Sequence, residues 1–296
     1  MIDPRPRPSI ERAQALLGTA VRIRVSGLVA DHAHAAIDLG FAAIAEIQQL
    51  MSFHGAGSDL SRLNREASRG PVAVDPHTYN VICLAQQMAA ATEGLFDITV
   101  ARELVEWGFL PRPEAVPEPD PGASWRDIET LDQGRIRFHR PLWIDLGGIA
   151  KGYAVDVALA RMGLAATLQC RINAGGDLRV AGPETDRALL RVPGHSTENL
   201  PVVEITNGSL ASSCGHDHAR PYLGQWVAPH VHGLRRNAAG KGNFASVVAP
   251  RCAVADALTK VVLAGGAEVS AILREFAATA YLHSAEHGWQ TLGELN

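Results

Sequence analysis

Cysteine is scarce, aromatics are few, and no long apolar run is present; each shortage narrows what the chain can be. The four cysteines (Cys83, Cys170, Cys214 and Cys252) stand apart with no C-x-x-C pair, too dispersed to read as a disulfide framework. No apolar stretch approaches the length of a membrane span. The arginines near the N-terminus have no apolar segment behind them, so no secretory leader is read. The expected location is therefore cytoplasmic, and a periplasmic one would need a leader ahead of Met1. With 27 basic and 31 acidic residues the net charge is −4, which offers no electrostatic footprint for nucleic acid. No fixed-period repeat or low-complexity tract stands out.

What is present suits a folded, mixed domain. An apolar fraction of 47% and a charged fraction of 20% exclude disorder, and 296 residues suffice for a sizeable core. Residues 20–26 alternate, with Val21, Ile23 and Val25 on one side and Arg22 and Arg24 on the other, which predicts a half-buried strand. Ile37, Phe41, Ile44, Ile47 and Met51 recur at helical spacing and predict an amphipathic helix over 31–51. A second helix is predicted over 77–93, closed by Gly94. Prolines crowd residues 111–122, which read as a surface excursion within one domain. Short strands near 135–138 and 142–145, a helix over 149–162, and four or more strands between 167 and 249 follow. Two helices, near 255–264 and 267–277, are expected to close the chain. Without strict βαβ alternation, the fold class is α+β, with residues 1–14 as a tail and 15–296 as a single compact domain.

Three glycine-bearing segments carry the chemistry. Asp145-Leu-Gly-Gly-Ile-Ala-Lys-Gly-Tyr-Ala-Val-Asp156 reads as a strand end, a glycine pair and a helix start. Gly147 and Gly148 permit close backbone approach, the helix start offers free N–H groups, and Lys151 adds a full charge, a combination able to hold phosphate. The segment is neither a P-loop nor a G-x-G-x-x-G fingerprint, and a tight turn beside a solvated lysine is an equally good reading of it alone. Asn173-Ala-Gly-Gly-Asp177 is a second glycine turn, and Gly94-Leu-Phe-Asp-Ile-Thr-Val100 places an acid and a hydroxyl two residues apart. Asp256, in Ala255-Asp-Ala-Leu-Thr-Lys260, has the simple alternative of capping a helix.

In order and spacing, these segments together resemble the ApbE family of FAD:protein FMN transferases. The likeness extends to Leu17-Gly-Thr, to Ser58-Asp-Leu-Ser-Arg-Leu-Asn64, and to the A-D-A-L start at Ala255. The resemblance implies a T-fold-related architecture, FAD as substrate, and an acceptor flavoprotein whose threonine receives FMN. It implies flavin-nucleotide contacts at Leu17, His54, Leu95, Phe96, Asp97, Asp145, Gly147 and Lys151. It further implies magnesium held by Gly148 and Asp256 with help from Thr259, Asp256 being catalytic, and His230 as the base. A divalent cation would neutralise the pyrophosphate under attack by a hydroxyl.

The sequence also departs from that pattern. Lys260 stands where the family offers a hydroxyl, one helical turn after Asp256, and is expected to pair with that acid and weaken magnesium binding; the alternative is that Thr259 takes over a ligand role and Lys260 touches phosphate. The H-I-I-D-P-x-T-G segment is reduced to Pro229-His230-Val-His-Gly-Leu234, and His54 replaces an aromatic residue. One alternative is therefore an FAD-binding protein without transfer. Another is a histidine-based metal protein, suggested by the H-x-H pairs His32/His34, His216/His218 (near Cys214) and His230/His232.

Overall fold

The computed structural model describes residues 8–114, 116–192, 194, 200–215, 218–240 and 242–293. Eight strands make one sheet: Ser9–Leu16 (β1), Thr19–Ser26 (β2), Gln169–Ala174 (β3), Asp177–Ala181 (β4), Ser209–Cys214 (β5), Phe244–Ala249 (β6), Thr279–Ser284 (β7) and Gly288–Leu292 (β8). They lie side by side in chain order, every neighbour antiparallel. The alternation read over 20–26 is real: Val21, Ile23 and Val25 are buried while Arg22 and Arg24 point outward. Strand β1 pairs with β2 along its whole length. It takes in residues 9–14, expected above to be part of a tail, because Ile10 and Leu16 pack against the core; residues 1–7 lie outside the described residues.

Helices Ala30–Met51 (α1), Asp59–Glu66 (α2), Pro76–Ala91 (α3), Ala101–Glu106 (α4), Ala150–Met162 (α5), Cys252–Gly265 (α6) and Ser270–Glu275 (α7) complete the domain. Helices α1, α5 and α6 pack side by side against the sheet, and their apolar faces build the main core. A smaller apolar cluster, including Val180, Val203, Ile205 and Phe244, includes residues of the ribbon of strands Asp186–Leu189 and Val202–Ile205. The α+β reading therefore holds, with antiparallel sheets and packed helices.

Three local expectations change. Residues 142–145 form no strand, although Leu142, Trp143 and Ile144 are buried. The backbone of Ile144 is instead clasped by the Asn64 amide, which receives its N–H at 2.8 Å and donates to its carbonyl at 3.1 Å. The final helical stretch breaks at Gly266 (φ +58°) into a 3-10 turn and the short α7. The chain then returns to the sheet as β7 and β8 rather than ending in helices, since Ala280, Leu282 and Leu292 alternate into the core.

Candidate functional site

Two hairpin turns and two helix starts converge at one end of the sheet. The β1–β2 turn places Leu17 and Gly18 in the left-handed region (φ 54° and 71°), as a two-residue hairpin turn requires. The β3–β4 turn does the same with Gly175 and Gly176, and a Cβ at Gly175 would lie 2.7 Å from Thr19 Oγ1. Between these turns, the Asp145–Gly148 bend enters α5, with Gly147 N–H donating to Asp145 Oδ2 at 3.0 Å. Helix α6 runs beside α5 so closely that a Cβ on Gly152 would sit 2.3 Å from the Cys252 carbonyl oxygen. Its cap is not Asp256. Asp156, one face of α5 further on, receives the free N–H groups of Cys252 and Ala253 at 2.9 and 3.0 Å. Asp256 is thereby left for other work, deep in the helix pair.

The result is a cleft of about 800 Å³, within the usual range for small-molecule sites. Of the residues singled out in the sequence, Leu17, His54, Leu95, Phe96, Asp97, Asp145, Gly147, Gly148, Lys151 and His230 all line it. Asp256 and Thr259 do not reach its surface; both are fully buried beneath Lys260. The sequence reading passed over Phe53, Phe109, Leu110 and Arg220, which line the walls with no motif to mark them. A smaller hollow, about 430 Å³, beside the end of α5 is lined by no charged side chain.

The floor of the cleft is a four-charge cluster. Lys151 Nζ lies 2.5 Å from Asp177 Oδ2 and 3.9 Å from Asp256 Oδ2. Lys260 Nζ contacts Asp256 Oδ1 and donates to the Asp256 carbonyl at 3.1 Å. The Gly152 N–H donates to Asp256 Oδ2 at 3.2 Å. Both acids are almost entirely buried, whereas the lysine side chains keep 33% and 15% of their surface open. Burial alone would raise Asp256, but Lys151 and Lys260 outweigh it and hold its carboxyl below the usual range. Burial and the Asp256 charge push Asp177 up to about 6 against the pull of Lys151. Burial would lower Lys151, yet Asp256 and Asp177 raise it above the ordinary lysine value and keep it charged. Acids behind and ammonium groups in front make the floor a receptor for an anion.

His230 lies over this floor. Burial first, then the positive charges of Lys260 and Lys151, lower its imidazole to about 3, so the ring is neutral near pH 7. Its Nδ1 is buried with no hydrogen-bond partner. His232 is different: its Nδ1 accepts the N–H groups of Leu234 and Arg235 at 3.3 and 3.2 Å, so that ring shapes the loop. The loop is fastened to the Gly94–Val100 segment by Arg236, which donates to Asp97 Oδ2 at 2.7 Å and to Thr99 Oγ1 at 2.9 Å. Asp97 Oδ1 accepts the N–H and hydroxyl of Thr99, both at 2.8 Å. The acid expected to contact a ligand thus has its carboxylate committed to the scaffold. Burial also pushes Asp145 up in pKa, with Gly147 and His54 opposing.

The expected magnesium set does not fit this arrangement. Asp256 is taken by Lys260, Gly152 and Lys151, and the Thr259 hydroxyl donates to the Asp256 carbonyl at 2.7 Å and pairs with Ser213 Oγ at 2.8 Å. The Lys260 stem passes across Gly148, with Cε 3.6 Å from where a Cβ would stand. A single and a double positive charge about 4 Å apart repel by roughly 8 kcal/mol at an effective dielectric near 20. Among the described residues no group of three or more His, Cys, Asp or Glu could hold a metal. The histidine-pair expectation gains no support among the described residues. His32 and His34 lie two apart on helix α1, where such positions face apart. His232 is committed to backbone, and His216 lies outside the described residues.

The fold and cleft define an α+β protein with two ammonium groups on the floor of a cleft that has apolar side chains in its walls. The ApbE family matches residues 17–282, and the chain belongs to that family. It is 30% identical over 198 residues to an FAD:protein FMN transferase of Vibrio cholerae serotype O1, covering 63% of this chain and 59% of the relative. It is 29% identical over 191 residues to one of Haemophilus influenzae, covering 58% and 55%. The matched part thus spans under two thirds of those relatives. The crystal structure of the apbe protein of Thermotoga maritima msb8 superimposes with a TM-score of 0.83 at 24% identity, covering 96% of both chains.

Proposed function

We propose that the protein is an FAD:protein FMN transferase, moving FMN from FAD to a threonine hydroxyl of an acceptor flavoprotein. The observation that carries this reading is the placement of a neutral imidazole, with a buried Nδ1 that has no hydrogen-bond partner, over two ammonium groups in one cleft. FAD would lie with its pyrophosphate on Lys151, Lys260 and the backbone at Gly147 and Gly148. Leu17, His54, Leu95 and Phe96 would pack against its ring systems. The acceptor hydroxyl attacks the FMN-side phosphorus, its proton passes to His230, and the bond to the AMP phosphate breaks, so that AMP leaves. A base at about 3 is weak, with burial the first cause of the depression and the lysine charges the next. The negative phosphates would offset Lys260 and Lys151 and raise His230 in part when substrate is bound, while the contribution of burial stays. No step runs through magnesium, whose expected ligands are otherwise engaged. Asp256 acts by holding both lysines; Asp145 fixes the Gly147 bend and Asp97 the His230 loop.

The test is incubation of the purified protein with FAD and a threonine-bearing flavoprotein, read as in-gel flavin fluorescence and AMP release. Fluorescent acceptor and stoichiometric AMP are expected. FAD binding without either product would instead favour the reading that Lys260 has turned the cleft into a binding site alone.

A further inference from the structure

The chain uses 24 arginines but only three lysines: Lys151, Lys241 and Lys260. Two of the three meet at the cleft floor, each pinned on a buried acid and each open toward the cleft. Elsewhere the described ion pairs are made by arginine and histidine. Lysine presents a compact point charge where arginine presents a wide planar fork. The Lys260 stem runs beside Gly148, where an added Cβ would come within 3.6 Å of its Cε.

Three features fix Lys260 in place. Its ammonium is held by the side chain and the carbonyl of Asp256, one turn earlier on the same helix. The Thr259 hydroxyl donates to the same Asp256 carbonyl and pairs with Ser213, and the side chain is fully buried, so its oxygen is already engaged beneath the cleft surface. The paired charges sum to zero before ligand arrives, so an incoming pyrophosphate meets exposed ammonium faces while the acids stay behind them. A divalent cation entering the same position would first have to expel an ammonium from a buried carboxylate.

We infer that Lys260 stands in for a metal ion: with Lys151 it forms a fixed two-ammonium clamp for a pyrophosphate, making FAD binding independent of divalent cation. The inference rests on the cleft being the FAD site and adds how the phosphates are neutralised there. The proton and leaving-group steps are unchanged.

The experiment is FAD titration of the full chain, by flavin fluorescence, in EDTA and in millimolar magnesium, for the parent and for Lys260→Thr. Thermal melting confirms that the variant is folded. Parent affinity should differ by less than about threefold between the two buffers. Lys260→Thr should bind about tenfold or more weakly in EDTA and recover with magnesium, because the substitution removes a charge-assisted contact and restores an oxygen ligand. A parent that loses about tenfold or more in EDTA overturns the inference, as does a Lys260→Thr protein that binds FAD as the parent does in EDTA. Should Lys260→Thr not fold, the parent titration alone decides. FMN transfer to an acceptor is assayed in the same two buffers. Metal-dependent binding with transfer sinks the inference and leaves the proposed function standing. Metal-independent binding without transfer does the reverse, and absence of FAD binding in both buffers sinks both.

Discussion

Replacing Lys151 by methionine keeps the stem and removes the charge, and the structure says what that leaves behind. Asp256 retains Lys260, but Asp177 loses its ion-pair partner at 2.5 Å while remaining 1% exposed. Breaking a buried pair from one side costs about 3–5 kcal/mol, and the lower end applies because Lys151 is itself a third open to the cleft. A loss near 3 kcal/mol corresponds to a fall in Tm of roughly 6–12 °C for a chain of this size.

The loss should depend on pH. With Lys151 present, Asp177 is already pushed up to about 6 by burial and by Asp256. Without Lys151 it moves higher, against about 3.9 in the unfolded chain. A carboxyl whose folded value is raised binds more protons folded than unfolded, so stability is greatest below the unfolded value and is lost as pH rises through the folded one. Lys151→Met should therefore melt far below the parent at pH 8 and much nearer to it at pH 5. Adding Asp177→Asn should recover most of the loss at pH 8 and flatten the difference between the two pH values. Equal melting of parent and variant at pH 8, a deficit as large at pH 5 as at pH 8, or no recovery in the double variant would refute the reasoning.

Folded Lys151→Met, titrated with FAD at pH 5–6, should bind more weakly by about 1–3 kcal/mol, and undiminished affinity would separate the cluster from the ligand. His230→Ala should abolish flavinylation with little change in Tm, whereas His232→Ala should lower Tm through two orphaned backbone N–H groups. A dead His232→Ala beside an active His230→Ala would reverse the assignment. Because the folded His230 value is depressed below the unfolded one, its contribution to stability is present above about 6.5 and is lost as pH falls toward about 3. His230→Gln should narrow the parent's loss of unfolding free energy between pH 7 and pH 4.5, read by urea titration, by on the order of 2 kcal/mol, and an unchanged loss would count against the buried neutral ring. Gly152→Ala should destabilise by about 2–3 kcal/mol despite the better helix propensity of alanine, since the new Cβ meets backbone at 2.3 Å. Gly40→Ala, whose Cβ meets only the movable Ile23 Cδ1 at 2.8 Å and the Met162 side chain, should cost less than about 1 kcal/mol, and matching losses would show that the α5–α6 contact yields.

Where periodicity and local chemistry determine structure, the sequence was readable. The 31–51 stripe, the alternation of Val21, Ile23 and Val25, and the glycine bend at 147–148 each encode their own conformation within a few residues. The 142–145 segment shows the limit. It is mostly apolar like a strand, yet the partner of its Ile144 backbone is a side-chain amide 80 residues away in sequence, and no local pattern carries that fact. Strands β7 and β8 escaped notice for a related reason. Thr279–Ser284 is short and follows two helical stretches, so its pairing with β6 is decided by the sheet edge left open for it.

The site divides along the same line. Motif order identified the cleft-lining residues, because glycine turns and helix starts must sit where backbone and ligand approach closely. It could not say which acids face the ligand. Asp97, Asp156, Asp177 and Asp256 all occur inside the recognised segments, yet the structure gives them four different tasks. Asp97 ties down the His230 loop, Asp156 caps α6, Asp177 anchors Lys151, and Asp256 anchors Lys260. What separates them is the identity of the cation or N–H group that the fold delivers to each from distant sequence. Lys260 was the exception, since its partner lies one turn away on the same helix. The least family-like residue of the site was therefore also the one whose contact could be read from sequence alone, and the question it raises, ammonium or metal on Asp256, is one of local geometry rather than of topology.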